Sequence, residues 1–360
     1  MFRGNPAHTA EQPGPGPARE PVIRWHVETG QPATSPAIVD GVVYFFSDDG
    51  FFYAVAAEDG EKRWREPFEG LSGGTPAVVD GLVYVGSFTD DGERGTLYAL
   101  EAATGEVIWR VDGAGVRGSV NVADGNVTVI RHDGVLSALD AATGWDVWRI
   151  EIGDAGAANL VPAIADGVVY APGAHRGQAT MLAISADVDE ILWFVDLPRI
   201  NELNTTPAVA NGFVFVGAIN WETTPESPYL LALDATTGKE AWTISANSHA
   251  AIPAVADGVV YHGGGDDAGG MLAAIDTETG RPRWELGSES FKSRIVGPVV
   301  AGDTVYAGSR DGTLYAVAAT TGDERWRFQF DSTTSAAAVV GGIVYISAGD
   351  GVYALGDPNG

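Results

Sequence analysis

Apolar residues in this chain come in short runs with abrupt polar stops, and the runs recur in a fixed order. "PAVVD", "GLVYVG", "GTLYALEA" and "EVIWRV" follow one another between residues 76 and 111, and the same succession returns along the rest of the chain. Runs of this length, rich in Val, Tyr and Ala and bounded by Gly and Asp, read as strands, because helices need longer periodic stretches. Each repeat therefore predicts four short strands, A to D.

The punctuation between A and B is a dipeptide: Asp40-Gly41, Asp80-Gly81, Asp124-Gly125, Asp166-Gly167, Asn211-Gly212, Asp257-Gly258, Gly302-Asp303 and Gly341-Gly342. Such pairs between apolar runs predict tight hairpins, whose turns need positive φ. Four positions ahead stands Pro36, Pro76, Pro162, Pro207, Pro253 or Pro298, with Val120 and Ala337 in the third and eighth repeats. Four positions after the first turn residue stands Tyr or Phe, with Thr128 as the exception. Trp recurs at 25, 64, 109, 148, 193, 242, 284 and 326. Four strands per period of roughly 40 residues is the signature of a β-propeller. Recurrent Pro marks strand A as an edge strand, the innermost of each blade.

The ends of the chain complement each other. "VYALGDPNG" at 352–360 closes a repeat that has A, B and C but no D, and "PVIRW" at 21–25 is a D strand with nothing before it. Together they make one blade. The expectation is an all-β, eight-bladed propeller of four-stranded antiparallel blades over 21–360, its ring closed by the strand around Trp25, so that no sheet end is left open. Residues 1–20, "MFRGNPAHTAEQPGPGPARE", read as a flexible Pro/Gly-rich lead-in without the apolar core of a signal peptide. No apolar run is long enough to predict a membrane span.

Charge changes the picture of the surface. Asp and Glu number 48 against 21 Lys and Arg, a net charge of −27, and the only Lys are Lys62, Lys239 and Lys292. Such a surface repels itself until salt screens it, and at about 1 M salt the screening length is only about 3 Å. This composition is similar to that of proteins from salt-loving archaea. It argues against nucleic acid as a partner, because phosphate contacts need clustered basic residues. The absence of Cys excludes disulfides, thiolate metal sites and Cys nucleophiles.

Residues 138–148 "ALDAATGWDVW", 232–242 "ALDATTGKEAW" and 274–284 "AIDTETGRPRW" share one motif. Segments 99–109 and 316–326 nearly match it, and 54–64 and 183–193 are degenerate copies. The motif resembles the tryptophan-docking motif of PQQ-like (pyrroloquinoline quinone) repeat propellers, a family that includes quinoprotein alcohol dehydrogenases and BamB-type outer-membrane assembly lipoproteins. The resemblance implies that Trp25, Trp64, Trp109, Trp148, Trp193, Trp242, Trp284 and Trp326 dock across blade junctions. It also implies an extracytoplasmic or cell-surface location. Two functions are compatible with it: a non-catalytic binding or assembly scaffold, and a PQQ-dependent dehydrogenase holding quinone and calcium in its funnel. A ligand-sensing domain is a third. Alcohol-type dehydrogenases are longer and carry a vicinal disulfide, which this chain lacks. The acidic loops 88–95 and 263–270 do not have the spacing of an EF-hand loop, and no hydrolase, metalloprotease or Walker motif is present. The scaffold reading therefore leads, as a monomer with no catalytic residue, metal or cofactor assigned.

Strand polarity puts the A–B and C–D turns on one face and the longer B–C and D–A loops on the other, where function usually sits. That loop face and the channel mouth supply the candidate binding residues: Arg117, Asn121, His132, Arg199, Trp221, His249, Lys292 and Arg294. Cations in a chain of net −27 suggest a mouth that accepts an acidic peptide, a protein or a small anion; pairing of each Arg with local Asp and Glu is the competing reading. The third repeat breaks three rules at once, with Val120, Asn121 and Thr128, which marks either function or drift. Asn121 is the candidate nearest the channel. Trp221 stands in the longest B–C loop and reads as a partner anchor or a lid.

Overall fold

The computed structural model describes residues 4–358 except 73, 90–94, 114, 117, 154–159, 176–177, 198–199, 201, 204, 220–227, 246–248 and 267–268. Eight antiparallel sheets of four core strands each form an eight-bladed propeller. In blade 1 the strands are Ala37–Val39, Val42–Ser47, Phe51–Ala56 and Lys62–Pro67. Strand A of one blade contacts strand A of the next from blade 1 through blade 7 and again from blade 8 to blade 1, and Glu11–Gln12 contacts strand A of both blade 7 and blade 8.

The turns form as their residues dictate. Asp40 and Gly41 have φ of 50° and 73°, and the five other Asp-Gly and Asn-Gly pairs match them. These are the left-handed pairs that a two-residue hairpin requires, and Asn or Asp followed by Gly tolerates them best. Blade stacking covers both faces of strands B and C, which explains why Val42–Ser47 is buried throughout and reads as a continuous apolar run. Strand D is the outer edge, and Lys62–Pro67 shows alternating exposure.

The docking motif is a junction between blades. The indole Nε1 of Trp64 donates to Ala102 O in blade 2 at 3.0 Å, and Trp109, Trp148, Trp193, Trp242 and Trp284 donate at 2.9 Å to Ala141, Ala186, Ala235, Thr277 and Ala319. The turn Gly lies under the incoming ring: a Cβ on Gly144 would sit 2.7 Å from Trp109. In the matching motif Asp140 accepts from Thr143 N and Oγ1 at 2.8 and 2.6 Å, which shapes the turn that presents that Gly. The strand-B tyrosine reinforces the junction, as where Tyr44 Oη donates to the same Ala102 O at 3.1 Å.

The ring closes through the termini. Val22–Glu28 pairs antiparallel with Gly351–Gly356, placing Trp25 opposite Ala354, and Trp25 Nε1 donates to Ala57 O in blade 1 at 2.9 Å. The break between the chain ends falls in the C–D turn of blade 8, where Trp326 of blade 7 needs its acceptor. Pro17 O takes that place, at 2.9 Å from Trp326 Nε1. The backbone N–H groups of Ala18 and Arg19 donate to the Asp357 carboxylate at 3.3 and 3.2 Å.

Candidate functional site: the central channel

Strand A is the inner edge of every blade, and its second residue sits at a non-hydrogen-bonded pair with strand B. Ile164, for example, lies opposite Val169. Antiparallel alternation therefore turns its N–H away from the sheet and into the channel. Left unpaired in a buried place, such a donor is costly.

Residues 4–12, expected from composition as part of a flexible lead-in, run along this edge instead. Ile164 N donates to Pro6 O at 2.8 Å, Val209 N to Ala7 O at 2.8 Å, Val255 N to Thr9 O at 2.6 Å and Val300 N to Ala10 O at 2.9 Å. Blades 4 to 7 thus take one carbonyl each. Glu11 and Gln12 then lie parallel to Val300 and Ala301, and Pro15 O accepts from Gly342 N of blade 8 at 3.1 Å. To turn successive carbonyls outward round the curve, His8 and Ala10 adopt left-handed φ of 56° and 57°. Both are fully buried. Asn5 fixes the first turn, donating through Nδ2 to Thr9 Oγ1 at 2.6 Å and accepting at Oδ1 from Thr9 N at 3.2 Å.

Asn121 grips the start of the segment. Its Nδ2 lies 2.7 Å from Pro6 O, 2.8 Å from Pro162 O and 3.2 Å from His8 Nε2. Two hydrogens serve three acceptors, so the two carbonyls take the direct bonds and the imidazole the weaker contact. The Ala found here in other repeats could make none of them. Thr128 sits opposite Asn121 in register, where other blades place an aromatic. The irregular third repeat is thus the one that meets residues 6–8.

Beside the segment a cavity of about 230 Å³ remains, walled by Ile38, Val78 and Ala338 of blades 1, 2 and 8 with Ser35 and Thr75 at its rim. Gly4 and Gln12 border it.

The other sequence candidates do not gather here. Arg117, Arg199 and Trp221 lie outside the described residues. His249 contributes a backbone pair with Gly265 that extends blade 6. His132 is half-buried in the B–C loop of blade 3, donating its N–H to Gly115 O at 2.9 Å. Lys292 is exposed, and Arg294 is half-buried with its carbonyl accepting from Arg310 N at 3.1 Å. His262, on strand B of blade 6, is fully buried. Burial first, and the Arg294 cation second, push its pKa down to about 3. The sequence reading missed Pro6, Ala7, His8 and Thr9. The one signal toward them was the inward polar Asn121.

His262 makes stability depend on pH. It stays neutral in the fold down to about pH 3, whereas the unfolded chain protonates it near about 6.5. Between those values the unfolded state binds more protons, so stability falls as pH falls, by up to about 1.4 kcal/mol per unit from this group. Denaturant titrations of His262→Leu and the parent at pH 7 and pH 4.5 should show a smaller acid loss in the variant; equal losses would contradict the assignment.

Comparison with known proteins follows the fold. The family model described as outer membrane protein assembly factor BamB matches residues 22–86, 48–186, 177–294 and 268–357. Outer membrane protein assembly factor BamB of Yersinia pestis is 27% identical over 304 residues, which cover 82% of this chain and 63% of that relative, so the chain spans less than two thirds of its length. The crystal structure of BamB from Moraxella catarrhalis superposes with a TM-score of 0.71 at 20% identity, covering 93% of this chain and 97% of that one. Quinohemoprotein alcohol dehydrogenase from Comamonas testosteroni superposes with a TM-score of 0.74 at 17% identity, covering 99% of this chain and 80% of that one. At such identities the structural likeness is one of fold, which enzymes and non-enzymes share.

Proposed function

Because the chain belongs to the PQQ-like repeat family described by outer membrane protein assembly factor BamB, we propose that it is a non-catalytic binding and assembly scaffold of the cell envelope. The observation that supports this reading is the chain's own segment docked in the channel. The resemblance to quinoprotein dehydrogenases would put quinone and calcium in the funnel, but here residues 5–12 run along the inner strands, with His8 and Ala10 fully buried. Among the described residues, those around the remaining cavity, such as Ser35, Ile38, Thr75 and Val78, offer no carboxylate to hold calcium or act as a base. They do not fit the group.

In this reading partners dock on the B–C and D–A loop face, where His132, Lys292 and Arg294 stand and to which Arg117, Arg199, Trp221 and His249 belong by sequence. A protein or peptide with an acidic segment matches these cations. The net charge of −27 suits a salt-rich environment. The test is calorimetric titration of the whole chain with PQQ and calcium in molar salt. No saturable heat is expected, and tight stoichiometric binding would overturn the scaffold reading in favour of a dehydrogenase. A photo-crosslinker at His132 should capture an envelope protein that the same group at Lys62 does not; equal capture at both would count against the loop face.

A further inference from the structure

The contact between residues 6–10 and the channel is regular: one backbone carbonyl per blade, received by the equivalent residue of strand A in blades 4 to 7. The device continues where the segment does not reach. Ile38, Val78, Val122 and Val339 hold the same position, opposite Val43, Val83, Val127 and Val344. The inner rim is therefore a track that reads backbone carbonyls. Its specificity comes from space and from Asn121. Ala10 is fully buried, and His8 is the one large side chain turned toward the amide of blade 3.

The occupant is also separable from the ring. Each junction is made by a strand-D Trp, and the one acceptor drawn from the lead-in is Pro17, downstream of the segment. Pro13, Gly14 and Pro15, which join segment to ring, are exposed. The cavity of about 230 Å³ beside Gly4 and Gln12 gives the segment room to leave.

We infer that the inner rim of the channel is an exchangeable peptide-binding site, filled in cis by residues 5–12. Its ligand class is a curved segment of the pattern Asn-Pro-Ala-His-Thr-Ala, turned where His8 N donates to Asn5 O at 3.1 Å and left-handed at His8 and Ala10, presenting a carbonyl to each of blades 4 to 7. This inference rests on the hydrogen-bond pattern and not on the scaffold reading, so the two fail separately.

The test uses the full chain carrying a protease site inserted between Pro13 and Gly14. The folded protein is cleaved, and an excess of labelled synthetic peptide matching residues 4–13 is added. Near-ultraviolet circular dichroism follows the fold, mass spectrometry the released segment and anisotropy the uptake. The expected result is an intact fold, release of the native segment and saturable uptake of the peptide. A His8→Ala peptide should bind about tenfold more weakly, the scale of one lost polar contact. An Ala10→Gly peptide should bind at least as well, because glycine takes the left-handed conformation without strain. Ala10→Leu should not bind. Asn121→Ala in the protein should speed release of the native segment. Loss of the fold on cleavage, retention of the segment with no uptake over days, or equal binding of a scrambled peptide would each overturn the proposal.

Discussion

Deleting residues 1–25 removes the cooperative thermal transition of the whole propeller. The deletion takes strand D from blade 8 and with it the pairing of Trp25 with Ala354, the Trp25 bond to Ala57 O and the Pro17 acceptor of Trp326. Loss of one buried Trp alone costs about 3–5 kcal/mol, and a domain's whole margin is about 5–15 kcal/mol. Two adjacent junctions fail together, and the ring opens at an unpaired edge. Deleting only residues 1–12 is a different change. The four channel bonds contribute about 0.5–1.5 kcal/mol each, while the two left-handed residues cost about 1–2 kcal/mol each, so the loss stays well below that of opening the ring. Calorimetric scans of both truncations in molar salt distinguish the two roles. A parent-like transition after removal of 1–25 would refute closure through the termini.

Trp148→Ala should be among the most damaging single substitutions, at about 3–5 kcal/mol. It should also cost more than Trp64→Ala. At the first junction Tyr44 Oη also donates to Ala102 O, so that carbonyl keeps a partner when Trp64 is lost. Blade 3 has Thr128 where the tyrosine would be, and Trp148 Nε1 is the side-chain donor to Ala186 O. Truncation there leaves a buried acceptor unmet, a further cost of about 1–3 kcal/mol. Urea unfolding of both variants measures the difference, and equal losses would show that the tyrosine does not share the junction.

Much of this architecture is legible because its causes are local. Asp40-Gly41 and its counterparts announce their turns by needing positive φ. The Thr-Gly step of the docking motif is explained by the Trp ring lying where a Cβ would go. Where the causes are not local, the reading went astray. Residues 6–10 read as a flexible lead-in, yet their carbonyls pair with the inner strands of blades 4 to 7. Asn121 stood out as irregular, but what it holds lies 115 positions away.

By itself, then, the sequence determined the blade count, the four strands of each blade, the Trp junctions and the sharing of one blade between the two ends. Each follows from turn chemistry, strand period and apolar patterning, which act over a few residues and repeat. Only the tertiary structure decided the path of residues 4–18. Their contacts use backbone carbonyls that every sequence possesses, so composition cannot distinguish a docked Pro/Gly segment from a solvated one. Even Gly16, which reads as a marker of flexibility, is held by packing: a Cβ there would fall 2.3 Å from Tyr306 Oη. The inner edge donors that receive the segment come into register only when the ring closes, which is why the channel and its occupant emerge together from the fold.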